Sequence, residues 1–70
     1  MEFTENFRKS DNFRIDGQIL YIIDENGREL EIFIGEEVRN ARWTDEGRLL
    51  VTLENGAVRS YEDEVNYIKI

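Results

Sequence analysis

A short phrase occurs twice in this chain. Gly17-Gln18-Ile19-Leu20-Tyr21-Ile22-Ile23-Asp24-Glu25-Asn26-Gly27 returns as Gly47-Arg48-Leu49-Leu50-Val51-Thr52-Leu53-Glu54-Asn55-Gly56, offset by 30 residues at the first glycine and 29 at the Asn-Gly. Each copy is a glycine turn, an apolar run rich in β-favouring residues and an Asn-Gly turn, the pattern of a strand entering a hairpin. Further turn signals at Asp16-Gly17, Gly35 and Asp45-Glu46-Gly47 leave room only for short strands. Short strands at such spacing indicate an all-β fold. The expected strands are 13–15, 18–24, 29–34, 38–44, 48–53, 57–61 and 65–70.

These strands predict a small antiparallel meander of six to seven strands. Several are apolar on both faces, and an open flat sheet would expose them together with its unpaired edges. Closure as a barrel or a two-layer sandwich removes both liabilities. The repeat predicts two pseudo-repeated three-stranded halves, 13–34 and 41–61, related by an approximate twofold.

Register follows from the turns. If Asn26-Gly27 is a two-residue turn, Glu25 faces Arg28, Ile23 faces Leu30, Tyr21 faces Ile32 and Ile19 faces Ile34, giving one wholly apolar face. The same turn at Asn55-Gly56 sets Leu53 opposite Val58, Val51 opposite Ser60 and Leu50 opposite Tyr61. Between them, Thr44 to Arg48 reads as a longer turn with Gly47 left-handed, which brings Trp43 near Leu49 and Ala41 near Val51.

The run Val38, Ala41-Arg42-Trp43, Asp45-Glu46-Gly47, Leu49 to Leu53, Asn55-Gly56, Val58 and Tyr61 resembles the hairpin of a WD-repeat propeller blade over about a third of the chain. The family's Gly-His pair is missing, and Tyr61-Glu62 stands where Trp-Asp belongs. A propeller needs at least four blades, more than 70 residues supply.

The 70 residues make one domain, read as an N-terminal arm (1–12) and a single β domain (13–70). In the arm, Thr4 could cap one helical turn that sets Phe3 and Phe7 on neighbouring positions. A mobile arm, or one packing its phenylalanines on a partner, fits equally. A chain this short buries only about 60% of its unfolded surface. With no cysteine or histidine, neither a disulfide nor an ordinary zinc site reinforces it. Well-formed hairpins or self-association must supply the difference.

The longest apolar run, Ile19 to Ile23, is far short of the roughly 20 residues that span a bilayer. Met1-Glu2-Phe3-Thr4-Glu5 lacks the basic, apolar character of a signal peptide, so a cytoplasmic location is the default expectation. The formal charge of −7 opposes attraction to nucleic-acid phosphates and anionic membranes.

Catalytic chemistry has few candidates. The only serines are Ser10 and Ser60, and neither sits in a nucleophile motif. The carboxylate groups Asp24-Glu25, Glu36-Glu37, Asp45-Glu46 and Glu62-Asp63-Glu64 fall in expected turns, where water screens the pKa difference that acid–base work requires. None of these turns matches a calcium loop, and no glycine-rich phosphate loop is present. No catalytic residue, cofactor, metal or small-molecule ligand is therefore expected, and an enzyme is the least favoured class.

Arg42, Arg59 and Tyr61 could share the face opposite Val51 and Leu53, as in small barrels that bind single strands, but the acidic turns disfavour a nucleic-acid partner. Seven of the nine basic residues are arginine, a residue enriched at protein interfaces. The expectation is a non-enzymatic β domain acting in protein–protein interaction or self-assembly, with a homodimer as the expected assembly. Its candidate contacts are Phe33, Arg42, Trp43, Arg59, Tyr61, Tyr67 and Ile70. Two other readings fit the composition: an acidic decoy for a nucleic-acid-binding protein, and a minimal scaffold without evolved activity.

Overall fold

The computed structural model describes residues 3–70. Residues 1 and 2 of the expected arm lie outside the described residues. One helical turn, α1 (Glu5–Arg8), precedes seven strands: β1 (Asn12–Asp16), β2 (Ile19–Ile23), β3 (Glu29–Phe33), β4 (Val38–Trp43), β5 (Leu49–Leu53), β6 (Val58–Tyr61) and β7 (Tyr67–Lys69). The strands form two antiparallel sheets, β1-β2-β3 and β4-β5-β6-β7. The single continuous meander expected from the sequence is thus divided, and the sheets do not close into a barrel. The division falls at residues 34–37, where the chain leaves the first sheet. Val38 then donates its amide to the Gly17 carbonyl at 3.0 Å, tying the start of β4 to the β1–β2 turn.

Three hairpins use one turn. In 24–28, 44–48 and 53–57 the first residue's N–H reaches the last residue's carbonyl (2.9, 2.8 and 2.8 Å), and the glycine N–H reaches the first residue's carbonyl (3.0, 3.0 and 2.9 Å). This is a three-residue loop with a left-handed glycine, the bulged alternative to the two-residue turn. Local acceptors reinforce it. The Asp24 Oδ1 accepts from the Asn26 and Arg28 amides at 2.9 and 2.8 Å, and the Thr44 Oγ1 accepts from Arg48 N at 3.1 Å.

The extra loop residue overturns two expected registers. Ile22 faces Leu30, Leu20 faces Ile32 and Ile19 faces Phe33; the expected partners of Ile23, Tyr21 and Ile19 are each displaced by one. Likewise Thr52 faces Val58, Val51 faces Arg59, Leu50 faces Ser60 and Leu49 faces Tyr61. The two-residue turn needs positive φ at both Asn26 and Gly27, yet among the described residues only glycines adopt it, Gly27 with φ 83°. A one-residue shift exchanges the faces of a strand. Leu20, Ile22 and Ile32 consequently point inward and are fully buried. Ile19, Tyr21 and Ile23 take the outer face, so the β2 half of the expected apolar wall is wrong, whereas Leu30, Ile32 and Ile34 of its other half do face the core. The pairs Trp43–Leu49 and Ala41–Val51 are as expected, because Gly47 there was read as left-handed.

One core joins both sheets: Leu20, Ile22 and Ile32 from the first, and Val38, Leu49, Val51, Leu53 and Tyr61 from the second, with Phe3 and Ile34. The N-terminal segment belongs to it. Phe3 is only 5% exposed and meets the Trp43 ring edge-on at 5.1 Å. Trp43 Nε1 donates to the Ser10 carbonyl at 2.5 Å, and Ser10 Oγ donates to the Ile23 carbonyl. Thr4 occupies the N-cap position through its carbonyl, and its side chain makes no capping bond.

Candidate protein-interaction site

Along one side of the molecule β1 runs beside β4. On the other side β3 and β7 are both terminal strands of their sheets, with no ladder between them. The segment linking β3 to β4 and the loop before β7 approach this open side. A groove of about 400 Å³ lies there, lined by Glu31, Phe33, Ile34, Tyr61, Glu64, Val65 and Tyr67. Glu64 and Val65 also line a second, mostly apolar recess of about 320 Å³ with Phe3, Phe7 and Leu30. The two recesses therefore adjoin.

Arg59 lies behind the opening, in contact with its lining residues Ile34, Tyr61 and Tyr67. It is 7% exposed, so its charge requires partners. Nη1 donates to the Ile34 carbonyl at 2.8 Å and to Tyr61 Oη at 3.0 Å, and Nη2 donates to Glu36 Oε2 at 2.7 Å. The guanidinium also lies 4.5 Å from the centre of the Tyr67 ring, which stacks on Tyr61 at 4.8 Å. Burial works against the cation, but the hydrogen bond to Tyr61 and the acidic groups around it outweigh burial and hold the pKa above the ordinary arginine value. One side chain of the second sheet is thereby bonded to the chain segment that leaves the first.

The rim carries uncovered apolar side chains. Phe33 is 71% exposed and Val65 73%, and Ile68 and Ile70 on and after β7 are also exposed. Covering one such side chain is worth about 1.5–3 kcal/mol. Exposed apolar side chains beside unpaired strand edges are the usual marks of an interaction surface.

The expected contacts divide accordingly. Phe33, Tyr67 and Ile70 lie on or beside this open side. Arg59 and Tyr61 are interior and support its floor, so they are not surface contacts. Trp43 packs on Phe3 and Phe13 and lines neither recess. Arg42 faces Leu50 and is exposed on the outer face. The proposed grouping of Arg42 with Arg59 and Tyr61 does not exist, because the register shift turns Arg59 and Tyr61 to the same face as Val51. Val65 and Glu31 were not singled out from sequence, and Glu36 and Glu64 were read only as water-screened turn carboxylates. Nothing in an isolated Glu-Glu turn marks Glu36 as the partner of a residue 23 positions away.

Other chemistry is sparse around these residues. Ser60 Oγ accepts from Arg48 Nε at 2.6 Å. Among the described residues no acidic cluster has the arrangement to hold a metal ion, and no helix is long and apolar enough to cross a membrane. The chain matches no protein-family model, no curated protein and no solved structure.

Proposed function

We propose that this chain is a non-enzymatic β module that binds protein through the open side between β3 and β7. The observation that carries the reading is the coincidence of two terminal strands, an adjoining pair of recesses and the exposed Phe33, Val65 and Tyr67 at one place. Either a foreign protein or another copy of the chain satisfies this reading. The repeated phrase enters it as well: Gly17 to Gly27 brackets β2 and Gly47 to Gly56 brackets β5, and we take the two sheets as versions of one three-stranded unit packed as a sandwich, with β7 added to the second.

Light scattering at micromolar concentration, combined with affinity capture using the purified chain, tests the proposal on the wild type and a Phe33→Asp/Val65→Asp variant. Both substitutions fall on exposed positions, so the thermal melt stays within about 0.5 kcal/mol of wild type. The expected result is a complex, homomeric or heteromeric, that the variant loses. A strict monomer with identical capture profiles for both proteins removes the reading.

A further inference from the structure

The hydrogen-bond alternation of an antiparallel ladder decides which backbone groups of β3 face outward. The Asp24 amide bonds the Arg28 carbonyl and the Ile34 amide bonds the Gln18 carbonyl. These bonds fix the intervening pairs Ile22–Leu30 and Leu20–Ile32 as the hydrogen-bonded ones. The amides and carbonyls of Glu29, Glu31 and Phe33 therefore point away from β2, toward the side where the sheet has no further strand. An extended segment laid there would gain main-chain bonds, as in strand addition to other sheet edges.

The charges around that edge select the occupant. Both ionisable carboxylates lining the groove beside β3, Glu31 and Glu64, are exposed, and no cation lines it. Glu31 accepts only a long hydrogen bond, 3.2 Å from Tyr21 Oη, and Glu64 makes no ion pair among the described residues. The Arg59 guanidinium is already held by Glu36 and the Ile34 carbonyl, and Arg14, which lies over the Tyr21 ring, is paired with Glu29. A second copy would bring its own Glu31, Glu64 and a charge of −7 to the same place, and like charges set against each other are destabilising.

We infer that the free edge of β3 accepts an extended segment of a foreign protein as a fourth strand, with a lysine or arginine directed at Glu31 and Glu64 and an apolar residue two positions away directed at Phe33. The two-position spacing follows from side-chain alternation, which puts Glu31 and Phe33 on one face. This inference rests on the protein-binding reading and adds the chemistry of the partner.

The test is a titration of the isotopically labelled chain with a capped peptide, Thr-Lys-Val-Lys-Val-Phe-Val-Thr, and with the same peptide carrying glutamate for lysine. Salt is kept near ~50 mM so that surface charge is not screened. Amide shifts at Glu29, Glu31 and Phe33 are expected with the lysine peptide. Affinity should fall about tenfold for the glutamate peptide and about threefold in Glu31→Gln, the scale of exposed ion pairs. Equal affinity for the two peptides at this edge overturns the cationic requirement and leaves the protein-binding reading standing. Shifts confined to Tyr67 and Lys69, or no binding of either peptide, overturn the inference itself. Protection of the Glu31 and Phe33 amides that rises with protein concentration alone also overturns it, assigning the edge to a second copy.

Discussion

Arg59 shows how much one side chain contributes when a fold has an unclosed side. Its guanidinium bonds a carbonyl and a carboxylate of the 34–37 segment and a phenol of its own strand. Arg59→Met keeps the stem and removes the fork, leaving the buried Tyr61 hydroxyl and the Ile34 carbonyl without their donor. A loss of about 2–3 kcal/mol is expected in urea unfolding followed by Trp43 fluorescence. Arg59→Lys should recover only part of it, because an ammonium cannot reproduce the planar fork. Asp63 carries a different prediction. The Asn66 side-chain amide, then the Val65 and Asn66 backbone amides, hold its carboxyl far below the usual aspartate range. A pKa lower in the folded than in the unfolded chain gives stability that is present above the unfolded value of about 3.9 and lost as pH falls below it. Thermal midpoints measured across that acid range should fall less steeply in Asp63→Asn than in the wild type.

At the scale of elements, the shared turn is the decisive unit. Gly56 has φ 91° with nothing within 4 Å of an added Cβ, so a substitution there is limited by backbone strain alone. Gly56→Ala should cost about 1–2 kcal/mol and Gly56→Asn clearly less, since asparagine tolerates the left-handed region; chemical denaturation of the two variants checks the order. The places of the strands were legible in the sequence because glycine and Asn-Gly mark where chains reverse. Register was not. Asn-Gly suits both a two-residue and a three-residue loop. The Asp24 carboxylate, which reaches two amides ahead of it, supports the longer loop in the first hairpin, and the Asn55 side chain, which accepts from the Ala57 amide, supports it in the third. Around Gly47 there is no Asn-Gly to suggest the shorter turn, and the register there was read correctly. The outer position of Tyr21 and the inner position of Arg59 both follow from that one residue of difference.

For the molecule as a whole, the core is small enough that its first residue matters. Phe3 is nearly fully buried against Trp43, which is the sole tryptophan. Phe3→Ala should cost about 3–5 kcal/mol, a large part of the 5–15 kcal/mol typical of small domains. Trp43 emission should shift to the red in the variant, reporting the loss directly. Chain length foretold one domain, and Phe33, Tyr67 and Ile70, named as candidate contacts, are exposed. The burial of Arg59 and Tyr61 was not legible, since it depends both on the loop length that turns them inward and on how two separate sheets meet.

That meeting is lopsided. Along β1 and β4 the sheets lie strand beside strand, whereas across the far side Arg59 is the polar clasp between them. The molecule should therefore breathe like a book with a catch on its open side. Spin labels at positions 31 and 64 should report a broader spread of distances once the catch is removed by Arg59→Met, while labels at 14 and 42, beside the spine, keep theirs.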